Sequence, residues 1–165
     1  MTITIPKPNL LRPRIPSLFV VGLLVAQILL SGSGNSTEPN CVLTVERPHY
    51  STHLNEYRRI DAIKLNIAST CNVPQRYTEI TSRIQKIKNN REVTAHNFVS
   101  TRALPSSKSR NIATFKNLFA KCDKGTEVAY SGTAMGYVYL QNGQKISVSG
   151  SSGKFVVVSC LIGAQ

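Results

Sequence analysis

The chain has 165 residues, 20 Lys and Arg against 8 Asp and Glu, four cysteines and no tryptophan, for a formal net charge of +12 at pH 7. No GxGxxG, no P-loop and no internal repeat occurs, which excludes the dinucleotide and nucleoside-triphosphate sites built on those motifs. The absence of tryptophan argues against a carbohydrate-stacking platform.

Residues 1–34 read as a secretory signal: Lys7, Arg12 and Arg14 precede an apolar run, and no acidic residue appears before Glu38. The run Ser17–Leu30 covers roughly 21 Å as a helix, short of the about 20 residues a bilayer span needs. Small residues in SGSGN suit cleavage, giving a mature start near Asn35 and a short tail, 35–40, before the domain at 41–165. The alternative is an uncleaved anchor that holds the protein to a membrane through residues 17–30. Asn35-Ser36-Thr37 matches the glycosylation sequon. Without residues 1–34 the chain keeps 17 basic and 8 acidic residues, a balance of +9, and is one domain long.

Export makes the even cysteine count a disulfide framework. Cys41, Cys71, Cys122 and Cys160 are spaced 30, 51 and 38 apart, which fits no zinc pattern. If the first strand begins at Cys41 and the next ends at Cys71, antiparallel pairing brings them together. That favours Cys41 with Cys71 and, by elimination, Cys122 with Cys160. A plain meander after Cys122, however, leaves Cys160 at the opposite end of the sheet, so three connectivities stay open.

The elements after Cys41 are extended. VLTV at 42–45 is β-rich, and Ile63, Leu65 and Ile67 alternate with polar or small residues as in a half-buried strand. YTEITSRIQKI and EVTAHNFVST form a hairpin with Asn89 and Asn90 at its tip. Pro105 in the connection RALPSSKSR bars a central strand. IATFKNLFAKC and TEVAYSGTAMGYVYL follow, then a hairpin at Asn142-Gly143, a turn at SGSSG and a last strand, KFVVVSCLI. Seven to eight such strands predict an all-β antiparallel sandwich, immunoglobulin-like in general architecture, with a small β-barrel as the alternative.

A cysteine opening a short strand, Arg47-Pro48-His49 with Ser51 two residues on, an Ile-Lys-Leu-Asn strand ending in Cys71, then CysAspLysGlyThr and a glycine-bearing strand ending in Cys160 resembles a group of small secreted bacterial proteins with four cysteines. The likeness spans residues 41–160. It departs at Glu56, Arg58 and Arg59, and at 88–91, where a glycine-rich turn would be expected. The group has no established activity, so the resemblance implies fold and export only.

His49, His53 and Glu56 are the candidate catalytic residues. On a helix the H-x-x-x-H spacing would suit zinc, but Pro48 and the Ser51-Thr52 pair predict an extended loop in which the histidines are ordinary residues, and no metal or cofactor is expected. Histidines beside cations are also the ingredients of a small secreted hydrolase such as a ribonuclease. A Ser-His-Asp enzyme lacks its G-x-S-x-G elbow, and Ser149-Gly150-Ser151 is expected in the SGSSG turn. Three basic clusters, Arg58 with Arg59, Lys86 with Lys88 and Arg91, and Arg102 with Lys108 and Arg110, predict an anionic partner: an envelope polymer, phospholipid headgroups or extracellular nucleic acid. Tyr137 and Tyr139 share one strand face, which core packing would explain. The sequence thus favours a noncatalytic extracellular binding or interaction module, with a secreted hydrolase and a structural surface protein as alternatives.

Overall fold

The computed structural model describes residues 38–160; the expected signal at 1–34, its apolar run and the sequon at Asn35 lie outside them. In chain order come β1 (Cys41–Val45), β2 (His49–Tyr50), helix α1 (Thr52–Arg58), β3 (Ala62–Lys64), β4 (Ile67–Cys71), β5 (Gln75–Lys88) and β6 (Arg91–Ala103). Then follow β7 (Pro105–Ser106), β8 (Ser109–Phe115), β9 (Phe119–Lys121), β10 (Glu127–Leu140), β11 (Lys145–Ser151) and β12 (Val156–Ser159). Every pairing is antiparallel. The strands form a four-stranded sheet, β1-β4-β8-β7, a five-stranded sheet, β11-β10-β5-β6 with β12 also on β10, and a small sheet, β2-β3-β9. Among the described residues no sheet closes into a barrel. β1 packs on β10 and β11, and β8 on β5 and β6, so the two larger sheets form a β-sandwich.

Period-2 alternation builds the core between them. β5 buries Thr78, Ile80, Ser82 and Ile84, and β10 buries Tyr130, Ala134, Val138 and Leu140. Leu43, Val45, Ile67, Ala113 and Phe115 close the core from the other sheet. Each fully buried Ile, Leu or Phe contributes about 1.5–3 kcal/mol relative to exposure. Two glycines let the layers touch: a Cβ on Gly132 would collide with Leu65, and one on Gly150 with the Leu43 carbonyl.

One buried cluster is polar. Gln75 is fully buried; its Oε1 accepts from Ser69 Oγ at 2.8 Å and from Thr78 Oγ1 at 2.6 Å. Its Nε2 donates to the carbonyls of Ser69 at 3.1 Å and Asn111 at 2.7 Å. The amide thereby ties β4, β5 and β8 together with every polar group satisfied, as burial requires. It reaches the core because the register slips between Tyr139 and Leu140, which face Tyr77 and Gln75. Arg76 is the extra residue of that bulge, and it puts Gln75 and Tyr77 on opposite faces.

Three expectations about local structure are corrected. Ile63, Leu65 and Ile67 are all buried, but their run is two strands in different sheets. β3-β4 and β8-β9 form a ribbon that bends from one sheet into the other, with Leu65 N donating to the Leu118 carbonyl at 2.8 Å. The extended loop expected after Pro48 contains α1, capped by Ser51, whose Oγ accepts from Leu54 N at 3.3 Å, and closed by Arg59 in the left-handed region at φ 56°. SGSSG does not reverse the chain: Ser149, Gly150 and Ser151 belong to β11, and the strand is only interrupted after them, around Gly153 at φ 81°.

That last correction resolves the cysteine problem. β11 pairs with Thr133–Tyr139 and β12 with Glu127–Tyr130, both antiparallel to β10. β5 occupies the other edge of β10, so β11 and β12 are one interrupted strand without a reversal. The chain therefore returns to the start of β10, and Cys160 bonds Cys122. Cys41 bonds Cys71 across the β1-β4 pair, directly in register. No cysteine is free, and two disulfides indicate folding in an oxidising environment. Among the described residues no helix is long and apolar enough to cross a membrane.

Candidate functional site

The outer face of the five-stranded sheet carries the most organised side-chain chemistry. Because the even-numbered residues of β10 point inward, Met135, Tyr137 and Tyr139 point out; Met135 is 66% and Tyr137 44% exposed. In register across the sheet, Tyr139 faces Tyr77 on β5 and Lys145 on β11, while Tyr137 faces Glu79 and Ser147. On β6, Arg102 faces Glu79.

These neighbours stack. The rings of Tyr77 and Tyr139 lie 4.3 Å apart at 23°. The Arg102 guanidinium sits 4.3 Å from the Tyr77 centroid, and Lys145 Nζ lies 3.7 Å from that of Tyr137 and 5.5 Å from that of Tyr139. Arg102 also donates to Glu79 at 3.0 Å; that hydrogen bond makes it hold its proton more tightly still. The result is a ladder across four strands, Arg102, Tyr77, Tyr139, Lys145, held by cation–π and ring stacking. Beside it lies a shallow concavity of 420 Å³ lined by Thr81, Met135, Tyr137 and Ser147, among others.

A second groove, also 420 Å³, opens where the bent ribbon leaves the four-stranded sheet. Thr44, Ala68 and Thr114 line it together with Glu46, His53, Lys64 and Lys116. Glu46 accepts a hydrogen bond from Asn66 Nδ2 at 2.8 Å, and the His53 ring rests 4.5 Å from Tyr57. The α1 end is pinned by Asp61, which accepts from Tyr50 Oη and from Asn55 Nδ2, the latter at 2.9 Å. Burial of the phenol, then the adjacent carboxylate, pushes the Tyr50 pKa up to about 12.

The candidate catalytic residues are not gathered. His49 is on β2, opposite Lys64, with Nδ1–H donating to the Arg47 carbonyl at 3.2 Å. His53 and Glu56 are on α1, and of the three only His53 lines the groove. Among the described residues no group of three or more His, Cys, Asp or Glu is arranged to hold a metal ion. The basic residues are also dispersed. Arg58 and Arg59 end α1, Lys86, Lys88 and Arg91 flank the β5-β6 turn, and Lys108 and Arg110 lie around the start of β8. Arg102 alone of them joins the ladder.

The sequence reasoning missed Tyr77, Glu79 and Lys145, and it offered core packing for Tyr137 and Tyr139. The available signal was parity: Val138 and Leu140, buried on β10, leave the alternate tyrosines outside.

No family model matches the chain, and no curated protein matches it. Among solved structures, the solution structure of a protein provisionally assigned as late embryogenesis abundant (LEA) aligns with 86% of this chain and 85% of its own, at 9% identity and a TM-score of 0.38.

Proposed function

We propose that the protein is a noncatalytic, exported binding module that meets an anionic partner through the outer face of its five-stranded sheet. The carrying observation is the ladder: Arg102 and Lys145 are held against tyrosines, so less of their rotamer freedom remains to be lost on binding. Export is supported by the N-terminal segment, by the resemblance to small secreted four-cysteine proteins and by the two disulfides. The balance of +9 outside residues 1–34 steers anions toward the molecule. The test is retention on an anionic matrix: the double variant Arg102→Ala/Lys145→Ala should elute at clearly lower salt than Lys108→Ala/Arg110→Ala, which removes equal charge elsewhere. Equal elution of the two would refute a role for this face.

The groove supports a second reading, a small hydrolase, because it sets His53 beside two lysines and a carboxylate, the residue types that transfer protons and hold a phosphate. Cleavage of RNA by the purified protein, lost in His53→Ala at unchanged melting temperature, would favour it over the first.

A further inference from the structure

Resting on the proposal that the ladder face is the docking surface, we infer that its ligand is a carboxylated polysaccharide strand, bound by ring edges and hydroxyls rather than by stacking. The geometry of the ladder carries this. β5 lies between β10 and β6, so Tyr77 has Tyr139 on one side of its ring and Arg102 on the other. Tyr139 is likewise enclosed by Tyr77 and Lys145, and Tyr137 is covered by Lys145. Tyr77 and Tyr139 are thus flanked on both sides within the protein, while Tyr137, 44% exposed, has a cation over one face. A single-stranded nucleic acid binds such surfaces by laying successive bases on free ring faces, and of the three tyrosines only Tyr137 keeps one.

What the face does offer is hydroxyls flanked by sparse positive charge. Three phenols lie between the two cations, which stand three strand spacings apart, about 14 Å. Ser147 and Ser149 on β11 and Thr81 on β5 extend the same face in register with Tyr137 and Met135. Glu79 sits within it, bonded to Arg102; a carboxylate there repels a phosphate on every residue of a polymer, but tolerates a chain whose charges are separated by neutral hydroxyls. A lipid surface calls for dense cations or an apolar wedge, whereas the exposed aliphatic side chains Met135 and Val157 stand apart on this face, Val157 pairing with Ala129, six residues before Met135 on β10. A polysaccharide with a uronate on alternate sugars matches all three properties: carboxylates for Arg102 and Lys145, hydroxyls for the phenols and serines, and charges set apart by a neutral sugar.

The experiment measures binding of the purified domain to hyaluronate, whose uronates alternate with neutral sugars, to neutral dextran, to oligo-dT and to vesicles containing phosphatidylglycerol, at one salt concentration. Hyaluronate is expected to bind most tightly. The variant Tyr77→Phe/Tyr137→Phe/Tyr139→Phe keeps the stacked rings and removes only the hydroxyls; it should weaken that binding by about tenfold at an unchanged melting temperature. Oligo-dT or vesicles binding more tightly than hyaluronate, or a phenylalanine variant that binds like the parent, would overturn the inference while leaving the ladder face in place. Binding of no anionic probe, or binding insensitive to Arg102→Ala/Lys145→Ala, would remove the docking surface itself.

Discussion

Gln75 and Tyr77 are two residues apart on one strand and do opposite work. Gln75 is sealed in the core with four hydrogen bonds to Ser69, Thr78 and Asn111, while Tyr77 stands on the surface between a ring and a guanidinium. The buried cluster fixes how three strands meet, since an amide deprived of partners there has no water to turn to. The exposed ladder fixes little, because each contact competes with solvent. Substitutions on the inner side should therefore be felt in stability, and those on the outer side in binding.

Breaking the inner cluster should have the largest effect. Gln75→Ala removes four buried hydrogen bonds and leaves Ser69 Oγ and Thr78 Oγ1, 2.7 Å apart, with only each other, and a loss of about 3 kcal/mol is expected in urea unfolding. The triple variant Ser69→Ala/Gln75→Met/Thr78→Val, which removes the partners too, should recover much of it. Recovery of nothing would mean that shape rather than hydrogen bonding governs the site. Ligand retention by the folded fraction should be the same in both.

Tyr50 comes next, because its hydroxyl is bonded to Asp61 on neither of these faces. Its pKa is raised from 10.0 to about 12 in the folded protein, so folding favours the protonated phenol. That contribution is complete below pH 10 and is lost as pH rises through about 12. Tyr50→Phe should cost about 1.5 kcal/mol near neutrality and should flatten the decline of stability across that alkaline window, measured by thermal melts. A parallel decline in both proteins would assign the alkaline loss elsewhere.

The smallest effect is a gain. Ser82 Oγ is the one buried side-chain oxygen or nitrogen without a hydrogen-bond partner among the described residues. Ser82→Ala should leave stability unchanged or raise it by up to about 1 kcal/mol; a clear loss would show that the hydroxyl is satisfied in solution.

Class and much of the framework were legible in the sequence, for a physical reason: β-branched alternation and paired asparagines act locally. Asn89 and Asn90 do take positive φ at the β5-β6 tip, 51° and 58°. The rest depended on events that no local pattern encodes. The bulge at Arg76 reverses the parity that would have put Gln75 beside Tyr77. The bend between β3 and β4 leaves the alternation of Ile63, Leu65 and Ile67 intact while moving the chain to another sheet. α1 has Ser51 as its cap but no acidic residue in its first turn, so little distinguished it from a loop. The candidate site was half visible, Tyr137 and Tyr139 by their spacing, but their partners Tyr77, Arg102 and Lys145 come from three other strands and are assembled only by register.

The placement of the two disulfides also decides how this domain would bear mechanical load. Tension entering at Cys41 passes directly to Cys71, and tension leaving at Cys160 comes directly from Cys122. Of the chain between Cys41 and Cys160, only residues 72–121 can be drawn out, about 50 residues or roughly 170 Å of extended chain. β10 and β11 lie inside the second covalent ring, while β5 and β6 lie in the extensible segment. A pull strong enough to open the sheet would therefore part β5 from β10 and divide the ladder between Tyr77 and Tyr139, so that the integrity of the ladder and the resistance to stretching are set along the same seam.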